Sequence, residues 1–299
     1  MNQYLQRGYF RNLVLLLLVL SVVTLVYEIA VEKPHFQRIS RYISGIRPYV
    51  EEERVLTAKT FAGVAQDDPA LVNYIRHNLL QPPSQLPYNL ANPERQHFSE
   101  FDQSSYADSE ILHGMRGGFF VEVGAVDGEY LSNSLYFERN LNWTGLLIEA
   151  FPQTYHELLQ KHRKAYTINT ALAMGKVSAE IQFSSTGRKG VLGQISNNTK
   201  STYTSKALPI YSLLLALNVT QIDFFSLDVE GFELKVLQTI PWDKIKIRLL
   251  CVEYIHVPEG RAGVIEYMNK QGYATLRDHD YDIWFGWPDL LKGTMKKVS

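Results

Sequence analysis

Residues 119–129 read Phe-Phe-Val-Glu-Val-Gly-Ala-Val-Asp-Gly-Glu, and this stretch decides the fold. Its apolar first half has the composition of a buried strand. Gly124 lets the backbone turn sharply out of that strand, and Gly128 lets a ligand approach the next element without meeting a Cβ. A strand followed by such a turn is typical of cofactor sites, although the Gly-x-x-x-Gly spacing alone is a weak signal.

The sequence around this stretch alternates between apolar runs of strand type and segments that can form helices. This pattern predicts an α/β domain with a mainly parallel sheet that helices cover on both faces. The predicted strands are 118–123, 144–148, 165–168, 180–183, 222–227 and 248–252. Helices are predicted over 70–80, from Pro152 onward, over 232–239, and up to Gly272. Apart from its one predicted strand, we expect 171–205 to be a long mobile loop.

A second acidic residue, Glu149, ends the next apolar strand twenty-five residues after Gly124. In an open α/β sheet, a carboxylate at this place accepts the two hydroxyls of a ribose. The turn does not favour a dinucleotide, because Gly-x-Gly-x-x-Gly is absent and Asp127 would repel a pyrophosphate. A cofactor with a cationic sulfonium and no phosphate fits better, so S-adenosylmethionine is the predicted cofactor.

Five sequence blocks, in order and spacing, carry a specific resemblance to a known family. They are 119–128, 145–152, 222–233 (Ile-Asp-Phe-Phe-Ser-Leu-Asp-Val-Glu-Gly-Phe-Glu), 252–254 (Val-Glu-Tyr) and 272–273 (Gly-Tyr). Over about residues 110–285 the chain resembles the FkbM family of methyltransferases. The resemblance implies a Rossmann-like class I methyltransferase fold that uses S-adenosylmethionine.

The resemblance also implies which residues bind the cofactor and which face the reaction. The residues expected at the cofactor are Glu122, Gly124, Asp127, Gly128 and Glu149. Glu149 would hold the ribose, and the residues of the glycine turn would shape the methionine side. Asp228 and Glu230 match the family's Asp-Val-Glu-Gly block and would face the transferred methyl group.

Methyl transfer to a hydroxyl requires removal of a proton, and the candidate bases are Asp228, Glu253 and His256. With Glu230 they form the predicted catalytic set. His256 could instead join Asp228 as a metal ligand or be a hydrogen-bonded structural residue, and no metal is included in the predicted site. Glu230 and Glu233 could equally be first-turn acids that cap the helix over 232–239.

One position departs from the family pattern. Ser226 stands where many bacterial members have Lys before the Asp block, so the sequence leaves open whether transfer is retained. The aromatic residues near the end of the domain also have two interpretations, as an acceptor pocket or as core that closes the last strands. They are Tyr281, Trp284, Phe285 and Trp287.

Composition excludes several classes of protein. The 299 residues include 30 Lys and Arg against 31 Asp and Glu, a net charge of -1, which argues against a general nucleic-acid binder. A hydrophobic share of 45% and a single cysteine exclude a disordered or disulfide-built chain. Cys251 lies in an apolar run, which indicates a buried strand residue rather than a nucleophile.

The N-terminus predicts a membrane anchor. Residues 13–27 carry no charge, and a helix over 13–31 is about 28 Å long, enough to cross a bilayer. Arg7 and Arg11 precede it, so the tail 1–12 is expected in the cytosol. A cleaved signal peptide and a buried helix are the alternatives. The remaining predicted parts are a stem and N-terminal extension over 32–110, the methyltransferase domain over 111–290 and a tail over 291–299.

A longer agreement resembles the Star-like branch of invertebrate type II membrane proteins. It rests on the anchor and on residues 73–76, 82–84, 86–88 and 131–139. This resemblance implies export of epidermal-growth-factor-receptor ligands from the endoplasmic reticulum to the Golgi, with the main domain lumenal and endosome or plasma membrane as later stations. Three Asn-x-Thr sequons, at Asn142, Asn197 and Asn218, are compatible with a lumenal location.

Two classes of function therefore remain open from the sequence. The first is a membrane-anchored methyltransferase that modifies a small-molecule, lipid or glycan acceptor. The second is a non-enzymatic regulator that binds secreted growth-factor cargo. A liganded but catalytically idle pocket would reconcile the two, because bound cofactor can simply stabilise an adaptor domain.

Overall fold

The strand Phe119–Val123 lies inside a seven-stranded sheet, between its two parallel neighbours Thr144–Glu149 and Gln221–Leu227. The computed structural model describes residues 56, 61–185, 193–195 and 202–290. Its strands are β1 (Phe119–Val123), β2 (Thr144–Glu149), β3 (Tyr166–Asn169), β4 (Ala171–Leu172), β5 (Ala179–Ser185), β6 (Gly193–Ile195), β7 (Thr202–Leu208), β8 (Gln221–Leu227), β9 (Lys246–Glu253), β10 (Ala274–His279) and β11 (Asp282–Gly286).

The large sheet has the order β10-β11-β9-β8-β1-β2-β3. Strands β9, β8, β1, β2 and β3 pair in parallel, whereas β11 is antiparallel to both β9 and β10. The chain moves outward from β1 to β3 on one side and then restarts at β8 on the other. This doubly wound order is Rossmann-like and confirms the α/β fold predicted from the sequence.

Helices pack on the sheet because the strands are apolar on both faces. In β8, six consecutive residues are buried, as are four of the five in β1. The helices are α1 (Pro69–Tyr74, continued by a π-helical turn Ile75–Leu79), α2 (Gln103–Tyr106, continued by Ala107–Leu112), α3 (Leu135–Leu141), α4 (Pro152–Gln160), α5 (Ile210–Leu217), α6 (Glu233–Thr239) and α7 (Gly260–Lys270). Asp68 caps α1 by accepting the N–H of Ala70 at 2.8 Å.

The interval 171–205 differs from the expected loop. It contains β4, β5, β6 and part of β7, which form a second sheet in the order β4-β7-β5-β6. The predicted strand 180–183 is confirmed as part of β5. The Gly, Ser and Lys content around it hid the neighbouring strands, because β7 (Thr-Tyr-Thr-Ser-Lys-Ala-Leu) pairs through its backbone with β5 and needs no continuous apolar run.

Part of the chain before the family-like blocks packs on the sheet. Phe61, Leu71 and Ile75 are buried in the same cluster as the strand residues of β1 and β8. Arg76 donates to the carbonyl of Ala216 at 2.8 Å and thereby ties α1 to α5. Gln81 forms an isolated antiparallel bridge with Thr167 at the edge strand β3.

The predicted membrane anchor over 13–31 lies outside the residues that the structure describes. Within the described ranges, no helix is both long and apolar enough to cross a bilayer. Cys251 is buried in β9, which confirms its prediction as a strand residue.

A single glycine tests the close packing of the central strands. A Cβ on Gly145 would lie 2.4 Å from the carbonyl oxygen of Phe120, its partner in β1. We expect Gly145→Ala to lower the free energy of unfolding by about 1–3 kcal/mol in urea, because the strands must separate to admit the methyl group. Gly175→Ala is the control, since a Cβ there meets nothing within 4 Å. Equal stability of the two variants would contradict this packing.

Candidate active site

A cavity of about 530 Å³ opens at the carboxyl ends of β1, β2, β8 and β9. It lies where the strand order restarts, between β1 and β8, which is the place where open α/β sheets bind ligands. Seven carboxylates line it, and the lining residues that the structure describes include neither Lys nor Arg. These carboxylates are Glu100, Glu122, Glu149, Asp228, Glu230, Glu253 and Asp282.

Gly124 brings the two central loops into contact. Its φ is +81°, and a Cβ added there would lie 2.8 Å from the carbonyl oxygen of Asp228. A side chain would therefore push the loop after β1 away from the loop after β8. The prediction that Gly124 permits a sharp turn is confirmed, and its close neighbour is the backbone of Asp228.

Glu149, at the end of β2, joins the loops that follow β1 and β2. Its carboxylate accepts the N–H of Val126 at 2.8 Å and the N–H of Phe151 at 2.7 Å. Burial raises the pKa of Glu149 to about 7, although these hydrogen bonds and one from Thr154 lower it. Glu149 also lines the cavity, which is the position a ribose-binding carboxylate requires.

Glu122 organises the loop that precedes α3. Its carboxylate accepts the hydroxyl of Ser132 at 3.0 Å, the backbone N–H of Asn133 at 2.6 Å and the hydroxyl of Ser134. The Asn133 amide in turn donates to the Ser226 hydroxyl at 2.9 Å, which links β1 to β8. Glu122 is buried and lines the cavity, so it can shape one wall while it holds the loop.

Asp127 and Gly128 do not line the cavity. Asp127 accepts the N–H groups of Glu129 at 2.9 Å and Tyr130 at 2.6 Å, so its carboxylate is used in a local turn. A Cβ on Gly128 would lie 3.1 Å from a side-chain carbon of Leu158. Contrary to the expectation, Gly128 makes room for the protein's own side chains rather than for a ligand.

The four residues of the predicted catalytic set come together at the ends of β8 and β9. The Nδ1 of His256 lies 3.3 Å from a carboxylate oxygen of Glu230 and 3.5 Å from one of Glu253. Asp228 is open to the same cavity. The second oxygen of Glu253 is buried and receives no hydrogen bond from any residue that the structure describes.

The pKa values of two of these carboxyl groups are strongly raised. Desolvation, followed by the charges of Glu230, Glu233 and Asp282, raises the pKa of Asp228 to about 8. Desolvation and the charge of Asp228 raise the pKa of Glu253 to about 9. Such values occur where carboxyl groups share a site with few cations, and strongly shifted pKa values cluster at functional sites.

Glu233 has a structural role in this cluster. Its fully buried carboxylate accepts the N–H of Val229 at 2.8 Å and that of Gly231 at 3.0 Å. These bonds hold Glu230 between them in a left-handed conformation, with φ of +56°. The interpretation of Glu233 as a first-turn acid of α6 is confirmed, whereas Glu230 faces His256.

The cluster also has the donor types of a cation site. The ligand atoms of Glu230, Glu253 and His256 lie within 4.8 Å of one another, and so do those of Asp228, Glu233 and Glu253. Asp228 and His256 belong to different groups of three, which share Glu253. The arrangement therefore offers carboxylates suited to a divalent cation. It does not place His256 and Asp228 in the same group of ligand atoms, as the sequence-based alternative of a shared metal would require.

Sequence reasoning missed one wall of the cavity. Glu100, Phe101 and Gln103 line it, and the Gln103 amide donates to the Asp282 carboxylate at 2.9 Å. The Phe101 ring meets the Tyr281 ring edge to face, with centroids 5.1 Å apart. No local motif marks these residues. Of the two interpretations of the late aromatics, the core one holds for Trp284 and Phe285, whereas Tyr281 lines the cavity.

Residues 122–281 match the family described as "Methyltransferase FkbM domain", a match that spans just over half of the chain. The chain belongs to the FkbM methyltransferase family. The FkbM domain is S-adenosylmethionine-dependent, which confirms the cofactor predicted from the glycine turn and Glu149. A comparison with curated proteins finds no match.

Solved structures give distant likenesses to this FkbM protein. The methyltransferase FkbM from Methylobacillus flagellatus KT is 15% identical, with 73% of this chain and 53% of that chain covered and a TM-score of 0.40. This chain thus spans about half the length of that protein. M. capricolum TrmK, solved with S-adenosyl-homocysteine, is 11% identical, with 64% of this chain and 68% of that chain covered and a TM-score of 0.34. A SAM-dependent methyltransferase from Aquifex aeolicus is 12% identical, with 64% of this chain and 91% of that chain covered and a TM-score of 0.35.

The cavity of the FkbM domain fits S-adenosylmethionine. Its size suits a nucleoside with a short side chain, and Glu149 stands at the strand end where a ribose binds. The excess of carboxylates over cations in the lining suits a sulfonium, and Asp228 would lie near it beside Gly124. Glu122, Gly124 and Glu149 are the residues that would hold the cofactor.

The raised pKa values predict how stability depends on pH in the protein without ligand. Because Asp228 and Glu253 have higher pKa values in the folded state than their ordinary 3.8 and 4.5, they stabilise the fold in their protonated form. That contribution is complete below about pH 4 and is lost as pH rises through 8 and 9. We expect the free energy of unfolding in urea to fall between pH 6 and pH 9.

Glu253→Gln should flatten this pH dependence, because the amide cannot ionise. Glu94→Gln is the matched control, since Glu94 is exposed and does not line the cavity. A slope that is the same in the wild type and Glu253→Gln would contradict the raised pKa of Glu253.

Proposed function

We propose that this FkbM-family protein is an S-adenosylmethionine-dependent O-methyltransferase in which Asp228 removes the proton of the acceptor hydroxyl. The observation that carries the proposal is the place of Asp228, at the junction of the cofactor turn and the carboxylate cluster. Its backbone carbonyl touches the Gly124 turn, and its carboxylate is open to the cavity.

S-adenosylmethionine, when bound, supplies a methyl group on a cationic sulfur, which keeps the electron pair of the broken bond as the acceptor oxygen bonds to the methyl carbon. The protein positions the acceptor and receives its proton. Raising the pKa of Asp228 to about 8 makes its ionised form a stronger base than an ordinary carboxylate. At neutral pH most Asp228 holds a proton without ligand, and a nearby positive charge favours the ionised form.

Ser226 stands where many bacterial members have Lys, and its contacts favour a carboxylate as the base in this protein. The Ser226 side chain is buried and its hydroxyl accepts the Asn133 amide at 2.9 Å. The Ser226 hydroxyl thus connects β8 with the loop before α3 through its hydrogen bond with Asn133. Since the described lining contains no Lys, acceptor activation falls to Asp228, assisted by the neighbouring Glu253 and His256.

Binding of S-adenosylhomocysteine to the full chain tests the cofactor part of the proposal. We expect calorimetry to show binding, and Glu149→Ala to abolish it because the variant removes the ribose acceptor and frees the N–H groups of Val126 and Phe151. Ligand at about 100 times its dissociation constant should add about 2.7 kcal/mol to the free energy of unfolding of the wild type.

Glu94→Ala, at an exposed position, is the matched control and should bind like the wild type. A circular dichroism melt without ligand shows whether Glu149→Ala still folds. Absence of binding in the wild type would overturn the methyltransferase proposal and favour the non-enzymatic cargo regulator. Binding that Glu149→Ala leaves unchanged would overturn the role of Glu149.

We further propose that the domain is lumenal and anchored by residues 13–31, as in the Star-like resemblance. The uncharged run 13–27 and the preceding Arg7 and Arg11 support this orientation. In this setting the acceptor is a small molecule, lipid or glycan of the endoplasmic reticulum or Golgi, and secreted growth-factor cargo is the partner of the alternative function.

Glycosylation of the full chain in animal cells tests the lumenal location. Asn142 and Asn218 are exposed, as are the Thr residues that complete their sequons. We expect an endoglycosidase to increase gel mobility, and the double substitution Asn142→Gln, Asn218→Gln to reduce that change. Substituting Asn78→Gln, which is exposed but outside any sequon, should leave the change intact. No mobility change in the wild type would contradict a lumenal domain.

A further inference from the structure

The acceptor side of the cavity combines carboxylates with aromatic rings. Asp282 lies opposite Glu253 in the ladder between β11 and β9. Gln103 bonds to Asp282, Phe101 meets Tyr281, and all of them line the cavity. In this half of the cavity the rings of Phe101 and Tyr281 therefore lie on the same wall as two acids, Glu253 at the end of β9 and Asp282 at the start of β11.

Part of this wall comes from outside the family domain. Residues 100–103 precede the family match, which begins at residue 122. The buried Gln103–Asp282 bond ties them to β11, and the N–H of Phe101 donates to Gln103 Oε1 at 2.8 Å within the segment. Glu100, the exposed member, contributes a further charge, which also acts to raise the pKa of Asp282.

The acidic groups on this side outnumber the basic groups that could neutralise them. Glu122 and Glu149, on the cofactor side, are occupied by N–H and O–H donors of their loops. On the acceptor side, one oxygen of Glu253 is buried without a hydrogen-bond donor among the described residues. His256 is the one basic side chain among the described residues that line the cavity. A buried carboxyl oxygen without a partner in the protein leaves one hydrogen bond for a ligand or a water molecule to make.

Resting on the methyltransferase function proposed above, we propose that the acceptor is a cationic alcohol, whose protonated amine binds among Glu100, Glu253 and Asp282. Its hydroxyl then faces Asp228, farther along the same cavity. The rings of Phe101 and Tyr281 add the cation–π attraction that aromatic side chains offer to ammonium groups. A protonated amine has no lone pair for methylation, so the amine orients the molecule and the hydroxyl is the group that reacts.

The same charges exclude other acceptors. A phosphate or carboxylate group would have to enter beside several acids with no Lys or Arg among the described lining residues. A neutral polyol would satisfy the Glu253 oxygen but would bring no positive charge to Glu100 and Asp282. A divalent cation is the remaining occupant of the cluster, and it is distinguished by direct titration.

Three matched sugars test the proposal on the full chain saturated with S-adenosylhomocysteine. Glucosamine, glucose and glucuronic acid share one ring and differ in charge. We expect calorimetry to show glucosamine binding about tenfold more tightly than glucose, with no binding of glucuronic acid.

Two variants locate the amine. Glu100→Gln and Phe101→Leu should each weaken glucosamine binding several-fold and leave glucose binding nearly unchanged, because they remove a charge or a ring. Glu94→Gln is the control and should bind all three sugars as the wild type does. S-adenosylhomocysteine binding, measured first, should be unchanged in the three variants.

The outcomes separate this inference from the proposed function. If S-adenosylhomocysteine binds but glucosamine does not bind, or binds no better than glucose or glucuronic acid, the cationic acceptor is overturned and the methyltransferase proposal stands. If Mg²⁺ alone binds tightly and blocks glucosamine, the cluster is a metal site and the inference is again overturned. If S-adenosylhomocysteine does not bind, both fail together.

Discussion

Carboxylates that accept backbone N–H groups hold the loops from which the cavity is built. Irregular loops at strand ends leave N–H groups without partners, and buried ones must be satisfied. Glu149 accepts two such groups and Glu233 two others, while Glu122 accepts one N–H with two hydroxyls. Removing any of these acids would free donors in the very loops that must come within contact distance at Gly124.

The use of carboxylates to hold the loops has an electrostatic consequence. Acids that hold loops stand close to acids that face the ligand, so repulsion and desolvation raise the pKa values of Asp228 and Glu253. The protein adds few positive charges in return, and a cationic ligand becomes the natural counter-charge. Structure and specificity are therefore linked, because the carboxylates that order the backbone also set the potential that selects what binds.

The sequence predicts the parts of the fold whose cause is local. Continuous apolar runs identify the parallel strands, and Gly124 and Glu149 each mark a strand end that lines the cavity, because each signal lies within a few residues. Contacts between distant residues leave no such signal. Gln103 and Asp282 are separated by 179 residues, and the role of Gly128 depends on the packing of Leu158. No apolar periodicity marks β7, because its backbone pairing, antiparallel to β5 and parallel to β4, defines it.

The packing of the N-terminal extension also affects the order in which the chain assembles. Gly63 and Gln81 bond to the carbonyls of Ser178 and Thr167, which are translated on the order of 10 s later. Phe61, Leu71 and Ile75 thus leave the ribosome before the strands that bury them exist. This segment cannot dock until those strands have been synthesised, so chaperone binding at this stage would protect its apolar side chains from association with other chains.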